Sequence, residues 1–162
     1  MKKLLVLATA IVVGVAANAA SFSWKASNLY AADLTNKYTG TATLYATIGG
    51  VATAVDTFAM TSAGVVNGSF SSETLVAGTA FDFYFTVEDS YGGKDWTYTS
   101  KTVTVTGPAT GSANIAFGNQ ATTSRAVVTT AGGNGWYAVP EPTSGLLMLL
   151  GMAGLALKRK RA

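Results

Sequence analysis

The chain has 162 residues, with eleven Lys or Arg, eight Asp or Glu, and neither Cys nor His. Once removable ends are set aside, that length suits one ordinary domain. Without Cys or His, disulfides, thiolate catalysis, imidazole bases and most zinc sites are excluded. The net charge of +3 invites an anionic partner, but its location removes that reading. Lys2 and Lys3 stand at one end and Lys158 to Arg161 at the other. Between Ala20 and Val139, five basic residues (Lys25, Lys37, Lys94, Lys101, Arg125) face seven acidic ones (Asp33, Asp56, Glu73, Asp82, Glu88, Asp89, Asp95), a balance near −2. A nucleic-acid binder needs a basic face to displace counterions, so no nucleic-acid partner is expected.

Residues 1–19 read as an export signal. Lys2 and Lys3 form a positive start, and Leu4 to Ala17 is an uncharged apolar run. Ala17 and Ala19 put small side chains at the two positions that signal peptidase inspects. The run is short for a permanent span of a bilayer core about 30 Å thick. Cleavage is expected after Ala19, with Ala20 as the alternative bond.

Residues 20–130 read as a β-rich extracytoplasmic domain. Phe22, Trp24 and Ala26 alternate with polar neighbours, as do Ala42, Leu44, Ala46 and Ile48; this two-residue period marks strands with one buried face. Val51, Val55, Phe58 and Ala59 instead recur at helical spacing, and Gly64 could end the element. A short helix is therefore predicted at 51–61. Phe81, Phe83, Phe85 and Val87 return to strict alternation. Ser90-Tyr91-Gly92-Gly93-Lys94 supplies a turn, and Asp95 to Thr106 completes a hairpin. Its apolar phase slips between Trp96/Tyr98 and Val103/Val105, which requires a bulge or break near Ser100 or Lys101. Ala113 to Phe117 and Arg125 to Thr130 are the last strand candidates. The abundant Thr suits a pleated, half-exposed surface. The fold expected is mainly β: an antiparallel sandwich or jelly-roll-like domain with one short helix, flanked by the signal helix and a C-terminal membrane helix. Residues 131–138 read as a linker.

Residues 139–162 divide into three pieces. Val139-Pro140-Glu141-Pro142 comes first, and its prolines hold an extended, readable strip. Gly145-Leu146-Leu147-Met148-Leu149-Leu150-Gly151-Met152-Ala153-Gly154-Leu155-Ala156-Leu157 follows without a charge. As a helix it spans about 20 Å, or about 27 Å when counted from Pro142 with Lys158 and Arg159 snorkelling. That is a marginal membrane helix, suited to transient residence in the inner membrane. Lys158-Arg159-Lys160-Arg161 resists translocation and keeps this end in the cytoplasm. A single-pass protein that is never cut is the plainer alternative.

In order and position, these three pieces resemble the PEP-CTERM sorting signal. The resemblance covers about the last 24 residues. It implies retention at the inner membrane of a two-membrane envelope, followed by release by exosortase, a membrane protease with a catalytic cysteine. It also implies delivery to the cell surface or beyond it, and a link to exopolysaccharide or biofilm matrix. Signal peptidase and exosortase are thus the processing partners expected. The Leu-Pro-x-Thr-Gly motif of sortase substrates is absent.

The domain itself offers little chemistry. Asp82, Glu88, Asp89 and Asp95 cluster around the hairpin. A glycosidase needs two carboxylates flanking the scissile bond and a calcium site several oxygens, but this spacing matches no such loop and reads as solvated surface. Lone Ser and Thr have no His to activate them. No enzymatic activity, metal or cofactor is expected. Trp24, Trp96, Tyr98, Trp136 and Tyr137 could form a stacking platform for exopolysaccharide; in strands such rings more commonly fill the core. Trp136 and Tyr137, in a Gly-rich stretch, are the rings most expected at the surface. Asn67-Gly68-Ser69 matches a glycosylation acceptor. The leading expectation is an exported, non-enzymatic surface or matrix protein; the alternative is a carbohydrate-binding module or adhesin.

Overall fold

The computed structural model describes residues 19–122, 125 and 135–138. The signal residues before Ala19, the strand candidate beyond Arg125, and the sorting strip, membrane helix and basic end lie outside the described residues. Among those described, the strands are β1 (Ala20–Ser27), β2 (Thr41–Ile48), β3 (Val51–Ala59), β4 (Val66–Ser72), β5 (Ala80–Tyr91), β6 (Lys94–Thr99), β7 (Val103–Thr106), β8 (Ser112–Asn119) and β9 (Gly135–Ala138). No helix among them is long and apolar enough to cross a membrane.

Two sheets hold these strands. The smaller runs β4-β1-β8, and the larger runs β3-β2-β5-β6-β9 with β7 also paired to β5. Their inner faces follow the alternation read from the sequence. Phe22, Trp24 and Ala26 of β1 are buried, with Ile115 and Phe117 of β8. They meet Ala42, Leu44 and Ala46 of β2 and Phe81, Phe83, Phe85 and Val87 of β5. Ring contacts tie the layers: Phe22 to Phe83 at 5.6 Å, Trp24 to Phe85 at 5.9 Å and Phe85 to Phe117 at 5.0 Å. Pairs at such spacing and tilt add about 0.5–1.5 kcal/mol each beyond area burial.

The phase slip after Tyr98 is a bulge. The β5–β6 and β5–β7 registers differ by one residue (Thr86↔Thr99, then Phe83↔Val103). Ser100 bridges the gap. Its backbone N–H donates to the Phe85 carbonyl at 2.9 Å, and its Oγ accepts the Phe85 N–H at 3.0 Å. A side chain thus substitutes for the ladder bond that the extra residue displaces, which keeps the Phe85 N–H paired.

Three expectations are corrected. The predicted helix at 51–61 is strand β3. Gly49 and Gly50, at φ 59° and 81°, close a two-residue hairpin from β2 that non-glycine residues enter at a steric cost. A register shift then leaves Val55 as an extra residue opposite Leu44/Tyr45. Val51 and Thr53 pair with inward-facing β2 positions before it, and Asp56 and Phe58 after it. An odd-to-even switch within one strand thus imitated helical spacing. Gly64 caps no helix; it sits at φ 71° with its N–H donating to Tyr38. Second, the sandwich is not wholly antiparallel, because β1 and β8 pair in parallel. Third, the C-terminal half of the expected linker is ordered: β9 pairs antiparallel with β6 from Trp96↔Ala138 to Thr99↔Gly135.

Candidate functional site

Three of the five rings that could have formed an aromatic platform instead fill the core, as strand aromatics commonly do. Trp24, Tyr98 and Trp136 are fully buried. Trp24 donates its indole N–H to Asp56 Oδ2 at 2.7 Å, which joins the small sheet to the edge of the large one. Tyr98 donates to Gln120 Oε1 at 2.8 Å, and burial pushes its phenol well above the ordinary range. Trp136 packs on Tyr98 at 5.6 Å and Tyr38 at 6.4 Å, and its indole N–H has no acceptor among the described residues. The surface position expected for Trp136 is therefore wrong. Pairing of β9 with β6 turns its ring into the core, a contact between residues 38 apart in sequence that local composition does not report. Trp96 is half-buried; its N–H donates to the Tyr91 carbonyl at 3.1 Å, and the Arg125 guanidinium lies over both rings.

The carboxylates of the hairpin separate into different roles. Asp82 accepts from Thr104 Oγ1 at 2.5 Å. Asp89 accepts the Ala32 N–H at 2.7 Å, pinning the loop after β1 to the hairpin. Asp95 accepts from Ser90 Oγ at 2.7 Å. Glu88 is exposed, and its carboxylate has no hydrogen-bond partner among the described residues. In the loop after β1, the Thr35 and Asn36 N–H groups hold the half-buried Asp33 below its ordinary value.

Pairing register, more than composition, defines the open surface. Opposed residues point to the same face of a sheet. On the outer face of the large sheet, Thr57, Thr43 and Thr86 therefore form one accessible row across β3, β2 and β5, while Thr99, next in register on β6, is buried. The next position on β2 and β5 pairs Tyr45 with Tyr84, their rings stacked at 5.2 Å and 9°. Burial, then the neighbouring Tyr45 and Tyr137 phenols, raise the Tyr84 pKa. Between the rings and Glu88 lies a cleft of about 340 Å³, lined by Tyr38, Thr41, Thr43, Tyr45, Thr86, Val87 and Glu88. A second, of about 350 Å³, is lined by Glu88, Asp89, Ser90, Asp95, Trp96 and Thr97. Glu88 belongs to both. Tyr38 supports the shared wall, its hydroxyl donating to the Glu88 carbonyl at 2.9 Å. Tyr45 and Tyr84 were missed by sequence reasoning, although both occupy outward positions of recognisable strands.

The outer face of the small sheet differs. Ser21, Ser23 and Lys25 pair with Ser71, Ser69 and Asn67 on one side, and with Ser112, Asn114 and Ala116 on the other. The acceptor-like Asn67 and Ser69 are exposed there, within a paired strand. Gly68 between them faces inward beneath the Trp24 indole, where an added Cβ would collide with the ring.

Of the processing residues, Ala19 is exposed and the next residue, Ala20, is buried at the start of β1 opposite Ser72. At the other end, Ala138 closes β9. The expected sorting strip begins at the following residue.

A family model for the PEP-CTERM protein-sorting motif matches residues 138–161. No curated protein and no solved structure matched the chain. The motif marks the chain for membrane-associated sorting to the cell surface and for processing by exosortase. The chain thus carries a PEP-CTERM sorting motif that starts at Ala138, the last described residue of its β sandwich.

Proposed function

We propose that the chain is a non-enzymatic envelope or matrix protein: signal peptidase removes residues 1–19, the C-terminal helix resides briefly in the inner membrane, and exosortase releases the β sandwich. The observation that carries this reading is the match of residues 138–161 to the sorting motif, set against an N-terminal stretch with the three parts of an export signal. A marginal apolar run favours temporary over permanent anchoring. The domain between the signals lacks His and Cys, and its hairpin carboxylates Asp82, Asp89 and Asp95 are engaged in local hydrogen bonds. These features support a binding or structural role over turnover. Mass spectrometry of the cell-surface or secreted form tests the route; a species still carrying Lys158–Arg161 as the sole product would refute it.

Adhesion to exopolysaccharide is the second reading. The open hydroxyl-rich cleft beside Tyr45 favours it, in place of the aromatic platform that the sequence offered as a possibility.

A further inference from the structure

We infer that the outer face of the large sheet seats a non-anionic polysaccharide chain, laid across β2 and β5 through the cleft between Tyr45 and Glu88; this rests on the matrix-adhesion reading above.

Three features of the face point to that chemistry. The first is its supply of hydroxyls. Thr41, Thr43 and Thr86 line the cleft. Each hydroxyl both donates and accepts, as sugar hydroxyls do. Strand pairing fixes their spacing at about 4.8 Å across the sheet, close to the size of one pyranose ring. They are set on paired strands, so little ordering is needed on binding.

The second feature is aromatic surface beside the hydroxyls. Tyr45 lines the cleft, whereas Trp96 pairs with Asp89 on the opposite face of the sheet, where Arg125 lies over its ring. The Tyr45–Tyr84 stack stiffens the cleft wall. Such rings offer a broad contact for the apolar face of a sugar at low conformational cost. The small sheet provides a control within the same molecule. Its described outer positions carry Ser, Asn, Ala and Lys25, without a ring.

Charge is the third feature. Glu88 lines the cleft, whose lining includes no Lys or Arg. A polyuronate would be repelled by this like charge. A neutral glycan can donate hydroxyl protons to it, and an amine-bearing glycan gains an attraction as well. Asp89 and Asp95 are already oriented by the Ala32 N–H and Ser90 Oγ, which leaves Glu88 free to turn toward the ligand.

The processed, cell-released protein is the material for the test, by affinity electrophoresis and titration calorimetry against a soluble neutral β-glucan, chitosan and polygalacturonate. Retardation by the glucan or chitosan, and none by polygalacturonate, is expected. Tyr45→Ala should weaken binding at least tenfold, and Glu88→Gln should weaken chitosan binding more than glucan binding. Lys25→Ala, on the opposite face, should leave both unchanged. If Tyr45→Ala fails to fold, the near-isosteric Thr43→Val/Thr86→Val variant removes two cleft hydroxyls and should also weaken binding at least tenfold. Failure of the wild-type protein to bind either non-anionic glycan, or preferential binding of polygalacturonate, overturns the adhesion reading together with the site. Binding that survives the cleft substitutions leaves adhesion standing and overturns the placement on this face.

Discussion

Two tryptophans with identical burial should respond unequally to the same substitution. Trp24 and Trp136 are both fully excluded from solvent. Trp24 Nε1 donates to the half-buried Asp56 carboxylate at 2.7 Å, whereas Trp136 Nε1 finds no acceptor among the described residues. Replacement by Phe keeps a six-membered ring and removes the N–H with two ring carbons. The lost contacts and residual cavity cost about 1–2 kcal/mol at either site. At Trp24 a hydrogen bond to a charged group is lost as well, about 1.5–3 kcal/mol, so Trp24→Phe should cost about 2.5–5 kcal/mol. At Trp136 the substitution removes an unpaired buried donor whose desolvation costs about 1–3 kcal/mol, so Trp136→Phe should fall within about 1 kcal/mol of wild type. Urea unfolding of the processed protein, followed by circular dichroism, reads the difference as a shift in midpoint. With a slope of about 1–3 kcal/mol per molar urea, the Trp24→Phe midpoint should lie lower by at least about 1 M. Equal losses at the two sites would refute the assignment of one paired and one orphaned indole.

Other consequences follow from the same packing. Ser100→Ala deprives the buried Phe85 N–H of its acceptor and should cost about 1–3 kcal/mol, whereas exposed Ser90→Ala should cost less than about 1 kcal/mol in the same urea assay. Gly68→Ala drives a Cβ into the Trp24 indole and should cost about 1–3 kcal/mol by overpacking; near-wild-type stability would contradict the close approach of β4 to that ring. Burial raises the Tyr98, Tyr38 and Tyr84 phenols above their ordinary value of 10.0. Raised folded-state values mean that stability is intact below pH 10.0 and falls as the unfolded chain begins to ionise above it. Stability measured from pH 8 upward should therefore be flat and then decline from about pH 10, and a decline complete by pH 9 would contradict the burial of these rings.

Strands that bury one face cleanly could be read from the sequence. Phe22/Trp24/Ala26, Ala42/Leu44/Ala46 and Phe81/Phe83/Phe85/Val87 each alternate without interruption, and each forms part of the core. Even the bulge at Ser100 was legible, because two good phases met one residue out of step. The same physics misled at β3. That edge strand is open at Val51–Ala54, and its bulge at Val55 switches phase where the apolar signal is weakest. Local period could then not separate strand from helix. Long-range pairing was the other gap. The parallel β1–β8 contact and the β6–β9 contact that buries Trp136 depend on partners far along the chain. The cleft at Tyr45, Thr86 and Glu88 was hidden for the same reason, since its residues become neighbours only when β2 and β5 pair in register. The sorting signal needed no pairing. Its three pieces are consecutive, so order and composition sufficed.

Intact-mass measurement of the cell-surface or secreted form, with sequencing of both ends, tests the central claim most directly. The account predicts a chain beginning at Ala20, retaining β9 through Ala138, and lacking the apolar run and Lys158–Arg161. A full-length species carrying that basic end as the sole product would contradict it.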